Sequence, residues 1–312
     1  MNMTQTPIIE TERLKRDYKS VTAVDELTLS IAPGELFGLV GPDGAGKTTT
    51  LRLLAGLLSV TEGEATVLGF DLKSQAEAIK PHVGYMAQQF SLYGELSVLE
   101  NLQFFAELFD VTKQERHERT ERLLEFAGLR EFTERRAVNL SGGMQKKLAL
   151  ACTLIHQPEI LLLDEPTTGV DPVSRREFWN ILTELHVQGT TIIVSTPYMD
   201  EADRCSMVGL IYAGKLVECD TPQNVRGRLE GEVIEVQSED WQAALETVAD
   251  LKGVRETQTY GEAVNLLVDD GKKRLREVER ALKRSKVNYR SVRIAPVRME
   301  EAFISLIRRM EE

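Results

Sequence analysis

The sequence LFGLVGPDGAGKT, residues 36–48, decides the fold of the first part of the chain. A short apolar run typical of a buried strand leads into GPDGAGKT (Gly41–Thr48), and TTLRLLAGLL continues with helical spacing. Gly41, Gly44 and Gly46 let successive backbone N–H groups curl inward at a helix N-terminus, which forms a nest for a phosphate group. A glycine-rich turn that binds nothing is the alternative for this motif by itself.

Two side chains complete the predicted phosphate loop. Lys47 places a positive charge for the β- and γ-phosphates of a nucleotide, and the Thr48 hydroxyl can ligate Mg²⁺. The Asp43 carboxylate would repel a triphosphate, so we expect it to point away, since Asp-Gly suits a tight turn. The residues predicted to bind the nucleotide are Gly41, Pro42, Asp43, Gly44, Ala45, Gly46, Lys47, Thr48 and Thr49.

An apolar strand pattern, ILLLDEP (Ile160–Pro166), ends in two acidic residues. Because successive residues of a strand face opposite sides, one carboxylate can serve a metal while the other reaches a water molecule. We expect Asp164 to bind Mg²⁺ and Glu165 to act as the general base that polarises the attacking water. Two acids after a strand could also form only a helix N-cap and a turn.

A second predicted helix N-terminus lies in LSGGMQKKL (Leu140–Leu148). Ser141, Gly142 and Gly143 precede a helical run, and small residues there permit close approach of an anion to the backbone. An ordinary N-cap would look the same in isolation. The three motifs together, in this order, favour a nucleotide site over three unrelated turns.

These motifs resemble those of the nucleotide-binding subunit of an ATP-binding cassette (ABC) transporter, over residues 8–225. The resemblance implies an α/β fold of the P-loop NTPase type, with a RecA-like core sheet and an N-terminal antiparallel β subdomain. It also implies a helical signature subdomain at about residues 89–156. ATP and Mg²⁺ are the implied ligands, and GPDGAGKT, ILLLDE and LSGGM match the Walker A, Walker B and signature motifs.

The resemblance implies further site residues. Gln88 in GYMAQQ would touch the metal and relay movement to a membrane domain, and Asp171 in GVDP would lie at a subunit interface. Tyr18 would stack on adenine, although a surface or core tyrosine is the alternative. Two cassettes would close head-to-tail, so that Ser141 and its two glycines act on the ATP of the other subunit.

The segment STPYMDEADRC, residues 195–205, departs from the family pattern at Pro197. The family usually carries a histidine there, which hydrogen-bonds the γ-phosphate and orients the catalytic glutamate. Proline has neither a side-chain donor nor an N–H, and losing one preorganised donor costs about 2.7–4 kcal/mol of transition-state stabilisation. We therefore expect slowed hydrolysis, unless Thr196 or a water molecule supplies the donor. The chain has four histidines, and none of them is placed to supply the missing donor: His82, His117, His156 and His186.

After CDTPQNVRGRLEG (Cys219–Gly231) the pattern changes to alternating strands and helices, which predicts a small α/β domain over residues 230–312. Its last helix carries an apolar stripe of Met299, Ala302, Phe303, Leu306, Ile307 and Met310. This arrangement is similar to the C-terminal extension of drug-exporting ATPases of the daunorubicin-resistance type. Basic residues dominate from Lys272 to Arg290, which indicates either a solvated helix face or attraction to an anionic lipid surface.

The net charge of −11 disfavours nucleic acid as a partner. No apolar stretch approaches the ~18–20 residues that cross a bilayer, and the opening segment lacks the apolar region of a secretory signal. Three cysteines without a C-x-x-C motif are typical of a reducing compartment. We therefore expect a cytoplasmic protein, peripheral on the inner face of the cell membrane.

The leading interpretation is the ATP-hydrolysing subunit of a membrane exporter, working with a separate transmembrane permease subunit. Its second cassette would be another copy of the chain or a different one, as a homodimer or an asymmetric heterodimer. A regulatory cassette that binds ATP with little turnover is one alternative. A soluble ABC ATPase of translation or DNA repair is another.

Overall fold

The computed structural model describes residues 6–89 and 91–311 of the 312. Two compact units are present, one ending at Pro222 and the other beginning at Gln223. The first five residues belong to the opening segment predicted to lack a secretory signal, and they lie outside the described residues. No helix in the described ranges is both long and apolar enough to span a bilayer.

The first unit combines two sheets with a cluster of helices. Its strands are β1 (Ile9–Tyr18), β2 (Val21–Ile31), β3 (Leu36–Val40), β4 (Glu62–Val67), β5 (Phe70–Asp71), β6 (Val83–Met86), β7 (Ile160–Asp164), β8 (Thr191–Thr196), β9 (Met207–Tyr212) and β10 (Lys215–Asp220). Its helices are α1 (Lys47–Leu54), α2 (Ala76–Ile79), α3 (Val98–Leu108), α4 (Lys113–Phe126), α5 (Gly142–Leu154), α6 (Pro172–Val187) and α7 (Met199–Ala202). A short helix, α8 (Pro222–Gly227), follows β10.

The central sheet has the strand order β10-β9-β3-β8-β7-β6, and its neighbours are parallel except for β10 with β9. Strands β3, β7 and β8 are buried along their whole length. This burial explains why LFGLV, ILLLD and TIIVST are nearly continuous apolar runs rather than alternating patterns. The carboxyl ends of these parallel strands share one edge of the sheet, which is where ligands bind in such folds.

The second sheet is antiparallel, in the order β2-β1-β4-β5. Its two long strands are irregular, with positive φ values at Arg13 (47°) and Glu26 (52°). Apolar residues of this sheet, including Leu14 and Ile31, share one hydrophobic core with Phe37 of the central sheet. The antiparallel sheet is therefore anchored to the strand that carries the phosphate loop.

Helices α3, α4 and α5 surround a hydrophobic core of their own. Helix α3 begins with a capping box, in which Ser97 and Glu100 exchange side-chain and backbone hydrogen bonds. Leu102 is fully buried in this core, while Phe105 and Phe109 pack against it. Leu108 is 60% exposed, because it lies on the solvent side of the helix. Most of the apolar positions of α3 thus serve the core.

The second unit contains one antiparallel sheet, in the order β12-β13-β11-β14. Its strands are β11 (Glu232–Gln237), β12 (Val254–Tyr260), β13 (Ala263–Val268) and β14 (Ser291–Ala295), and its helices are α9 (Trp241–Val248), α10 (Gly271–Arg284) and α11 (Met299–Glu311). Ile234, Val236 and Leu266 pack against Val248 and Leu282. Strand β12 was not identified from the sequence, because VRETQTY has no apolar run and is only partly buried at an edge.

The apolar stripe of α11 is buried over only part of its length. Met299, Ala302 and Phe303 are buried, whereas Met310 is 47% exposed. The stripe is therefore buried at the start of the helix and exposed at Met310.

Some of the basic residues between Lys272 and Arg290 are neutralised by acids. The Arg274 guanidinium is bonded to Asp269 and Glu277, and it holds the pKa of Asp269 at about 2. Arg290 is paired with Glu239 and Glu262. The excess positive charge of this segment is thus smaller than its composition indicates.

Leu102→Ala should lower the free energy of unfolding of the first unit by about 2–5 kcal/mol, because it empties a fully buried position. Leu108→Ala is the matched control in the same helix, and we expect a change within about 0.5 kcal/mol for this exposed residue. Urea denaturation, monitored by tryptophan fluorescence in a Trp241→Phe background that leaves only the buried Trp179, measures both changes. Equal losses in the two variants would contradict the assignment of Leu102 to the core.

Candidate nucleotide-binding site

A cleft of about 600 Å³ opens where β3, β7 and β8 end. It is lined by the glycine-rich loop, the start of α1, Gln88, Glu165 and the segment after β8. The residues lining it are Ala23, Asp43, Gly44, Gly46, Lys47, Thr48, Thr49, Gln88, Glu165, Thr168, Pro197 and Tyr198. The loop, the strand-end acid Glu165 and Pro197 at the predicted switch position therefore line one cleft.

The loop before α1 needs glycine at two positions for two different reasons. Gly46 has a φ of 103°, and a Cβ atom there would overlap with the carbonyl oxygen of Ala23. A Cβ atom on Gly41 would overlap with the carbonyl oxygen of Ile211. No side chain caps the start of α1, so its first-turn N–H groups are left for an external acceptor. This donor set fits a phosphate group.

The remaining loop residues differ in their exposure. Ala45 is buried, and Pro42 is half-buried outside the cleft, with its carbonyl oxygen turned to Lys47. Asp43 is exposed and borders the cleft, so the expectation that its carboxylate points away from a nucleotide stays a prediction. Thr49 lines the cleft.

The Lys47 ammonium is nearly fully buried and has three acceptors. Its Nζ donates to the carbonyl oxygens of Gly41 and Pro42, each at 2.9 Å, and lies 3.2 Å from Oε1 of Glu165. Since an ammonium has three donors, a phosphate entering the cleft must replace at least one of these partners. The most direct exchange is a phosphate oxygen for the Glu165 carboxylate, because both are anionic.

Asp164 is fully buried and lies against the start of α1. Its Oδ1 accepts hydrogen bonds from the hydroxyls of Thr48 (3.0 Å) and Ser195 (2.8 Å), and its Oδ2 accepts one from Tyr85 (3.2 Å). Two of the three residues predicted to contact Mg²⁺, Thr48 and Asp164, thus lie together, and a hydroxyl with a carboxylate suits that ion. Burial raises the pKa of Tyr85. No sequence pattern indicated the contacts of Ser195 and Tyr85 with Asp164, since both contacts depend on strand pairing.

Glu165 turns sharply away from the direction of β7. Its φ of 44° lies in the left-handed region, which costs a non-glycine residue about 1–3 kcal/mol. The Gln88 amide donates to its Oε2 at 2.7 Å, and the Thr168 hydroxyl donates to the same oxygen at 3.2 Å. This strained turn sends the Glu165 carboxylate into the cleft while Asp164 stays beneath it. The predicted contact of Gln88 with a metal stays a prediction.

Gln88 also connects the cleft to helix α5. The Lys146 ammonium donates to the Gln88 carbonyl oxygen at 2.5 Å, and burial lowers the pKa of Lys146. Lys146 carries no recognisable sequence signal, because its partner is a backbone atom in a distant loop.

Pro197 lines the cleft directly after β8. The neighbouring Thr196 is buried, and its hydroxyl donates to Oε2 of Glu201 at 2.6 Å and accepts from the Tyr198 N–H at 3.0 Å. The other oxygen of Glu201 accepts from Thr167 at 2.7 Å. The Thr196 hydroxyl therefore has no hydrogen left to donate into the cleft. Of the two substitute donors expected from the sequence, Thr196 and a water molecule, only the water molecule remains.

The four histidines lie away from the residues that line the cleft. His82 is paired with Glu159, and His156 stacks on Phe109 with ring centroids 3.8 Å apart. Burial lowers the pKa of His156 to about 4. His117 is exposed on α4, and His186 belongs to the last turn of α6.

The residues of LSGGM are outside this chain's own cleft. Ser141 caps α5 by accepting the Met144 N–H at 3.3 Å. Gly142 faces open space, whereas a Cβ atom on Gly143 would lie 2.5 Å from Ser174 of α6. Gly143 is thus required by helix packing, and Gly142 is the position with room for a ligand or partner. Their action on a second subunit stays a prediction.

The last two predicted residues occupy different environments. Asp171 caps α6 by accepting the N–H groups of Val173 and Ser174. A hydrogen bond from the Ser174 side chain, together with these backbone bonds, holds the pKa of Asp171 below the ordinary value. Tyr18 is 41% exposed, is not among the residues lining the cleft, and has the Arg16 guanidinium 4.9 Å from its ring centroid. One face of this ring is therefore already covered, and stacking on adenine stays a prediction.

Comparison with known proteins identifies the family. Residues 24–168 match the model of the ABC transporter family. The chain is 43% identical over 221 residues to the probable multidrug ABC transporter ATP-binding protein YbhF of Escherichia coli, covering 71% of this chain but only 38% of that protein. It is 32% identical over 311 residues to the daunorubicin/doxorubicin resistance ATP-binding protein DrrA of Streptomyces peucetius, covering 98% of this chain and 94% of DrrA.

Solved structures agree with these relatives. The dimeric post-hydrolysis state of the ATP-binding cassette MJ0796, bound to ADP and phosphate, matches with a TM-score of 0.63 and 26% identity over 68% of this chain and 98% of that one. CbiO1 from Clostridium perfringens matches with a TM-score of 0.66 and 25% identity over 72% of this chain and 92% of that one. The predicted cassette fold is confirmed. The chain belongs to the ABC transporter family of ATP-binding proteins.

Proposed function

We propose that this chain binds and hydrolyses ATP to power a membrane exporter. The observation that carries the proposal is the convergence of Lys47, Thr48, Asp164 and Glu165 around one cleft. The names of the relatives support the exporter assignment, since YbhF, DrrA and the Nod factor export ATP-binding protein of Cupriavidus metallidurans are named for drug transport, resistance or export. The last of these is 36% identical over 83% of this chain and 86% of its own length.

The residues of the cleft divide the work. Lys47 and the N–H groups at the start of α1 bind phosphate oxygens. Thr48 and Asp164 would hold Mg²⁺, which supplies positive charge to the phosphates when it is bound. When Lys47 transfers to a phosphate, Oε1 of Glu165 loses its partner and becomes free to accept a proton from water. Gln88 and Thr168 meanwhile hold Oε2 of the same carboxylate in place.

A second cassette completes each site in this proposal. The signature residues cannot serve the cleft of their own chain, since none of them lines it. The open position at Gly142 and the dimeric state named for MJ0796 support a head-to-tail pair. A separate transmembrane permease would transmit the movement, with the cassettes at the inner membrane face. Contact of α10 with an anionic lipid surface is part of the same proposal.

Pro197 favours a second candidate, a regulatory cassette that binds ATP but turns it over slowly. It is the one cleft position where a side-chain donor is expected from the family and is missing. The two candidates share the binding site and differ in the rate of hydrolysis.

Lys47→Ala should abolish measurable affinity for Mg²⁺-ATP, because it removes the buried charge of the loop. Glu165→Gln should keep that affinity and lower turnover by at least about 100-fold, since an amide cannot accept the proton. Isothermal titration calorimetry and phosphate release measure the two effects. Lys73→Ala, at an exposed lysine, is the control and should change neither. Unchanged affinity in Lys47→Ala would refute the proposed site.

Pro197→His should raise turnover by about 10- to 100-fold, because it restores a preorganised donor at the end of β8. Pro197→Ala is the matched control, which removes the proline ring and adds a backbone N–H but no side-chain donor, and it should leave the rate within about threefold of the unmodified chain. Steady-state phosphate release is the measurement. A rise in both variants would mean that backbone freedom, and not the donor, limits the rate.

Ser141→Arg and Lys47→Ala should complement each other if the sites form between two chains. Each variant alone should be inactive, whereas an equal mixture should regain about a quarter of the unmodified turnover, since half of its dimers are mixed and each holds one complete site. Mixing before ATP is added, followed by phosphate release, measures this. An inactive mixture would refute action in trans between copies of this chain.

A further inference from the structure

We infer that the Tyr198 hydroxyl donates the hydrogen bond to the terminal phosphate that the family's histidine usually supplies. The inference rests on the proposed function, because it assigns a donor within the same cleft. Tyr198 follows Pro197 directly and lines the cleft together with Lys47 and Glu165. A tyrosine hydroxyl is a donor that can reach further from the backbone than an imidazole.

The other candidate donors on this side of the cleft are engaged. Proline offers no donor, and the Thr196 hydroxyl is buried on Glu201. The hydroxyl of Thr168 and the amide of Gln88 both donate to Glu165. Within the described residues, the only hydrogen bond made by Tyr198 outside secondary structure and turns is that of its backbone N–H, so its hydroxyl is unengaged.

A charged group lies over one face of the Tyr198 ring. The Arg175 guanidinium lies 4.2 Å from the ring centroid, a cation–π contact that fixes the plane of the ring. Arg175 Nε in turn lies 3.8 Å from Oε1 of Glu201. Glu201 is buried and is bonded to Thr167 and Thr196.

This arrangement is a preorganised one. The Tyr198 backbone N–H is bonded to Thr196, so both the backbone and the ring of Tyr198 are constrained before any ligand enters. A donor that is already fixed needs no reorganisation as charge develops on a phosphate oxygen, which is the condition for lowering a barrier. A neutral hydroxyl replaces the hydrogen bond of a histidine but not its charge, so the replacement is partial.

Tyr198→Phe tests the inference, because it keeps the ring and its contact with Arg175 and removes only the hydroxyl. We expect kcat for ATP to fall about tenfold, less than the ~10²–10³ seen for a dedicated donor, with KM and Mg²⁺-ATP affinity unchanged. Tyr93→Phe, at a half-exposed tyrosine that packs on Phe104 outside the cleft, is the matched control and should leave kcat unchanged.

The same change in the Pro197→His background separates a donor from a structural role. There the imidazole supplies the hydrogen bond, so Tyr198→Phe should change kcat by less than about twofold, a non-additive result. An equal loss of kcat in both backgrounds would overturn the inference, because a packing defect is not rescued by a histidine. An unchanged kcat in the single variant would overturn it too.

The outcomes for the unmodified chain keep the two proposals apart. If the chain has no affinity for Mg²⁺-ATP, the proposed function fails and the inference with it. If it binds Mg²⁺-ATP but shows no turnover above the uncatalysed rate, Tyr198 does not act as the donor, and the regulatory candidate stands. If the unmodified chain hydrolyses ATP and the Tyr198→Phe variant has the same kcat, only the inference fails.

Discussion

The buried contact between Lys47 and Glu165 is the interaction on which the site depends. Both side chains are almost completely removed from water, and their charged atoms lie 3.2 Å apart. A buried charge without its partner is strongly unfavourable, so the charge of each residue stabilises the buried charge of the other while the cleft holds no phosphate. The backbone supports this pair twice, through the carbonyl oxygens around Lys47 and through the left-handed turn at Glu165.

Short chains of hydrogen bonds lead outward from this pair. Gln88 bonds Glu165 through its amide and Lys146 through its carbonyl oxygen, so α5 is connected to the cleft through a single residue. On the opposite side, Glu201 joins the end of β8 to the loop after β7 and to α6. A movement of α5 would therefore shift the hydrogen-bond partner of Glu165, and a movement of α6 would shift the partner of Thr196, next to Pro197.

Much of the site could be predicted from the sequence because its chemistry is local. The spacing of glycines, Lys47 and Thr48 within one loop requires a strand–loop–helix, and the structure has that arrangement. ILLLD and TIIVST are buried strands for the same reason, since their apolar runs are too short for most helices and too continuous for a surface. Strand β12 was missed because an edge strand with polar residues carries no such pattern.

The sequence by itself determined the phosphate loop, because that loop follows from residue types at fixed separations along the chain, and its resemblance to the family supplied the cassette fold and the expectation of a histidine at position 197. Only the tertiary structure decided that Gly143 is needed for the packing of α5 against Ser174. It also decided that the Thr196 hydroxyl donates its hydrogen bond to Glu201, and that the Arg175 guanidinium lies over the ring of Tyr198. These facts depend on contacts between segments far apart in sequence. Distances of that kind are fixed by packing, which no local pattern encodes.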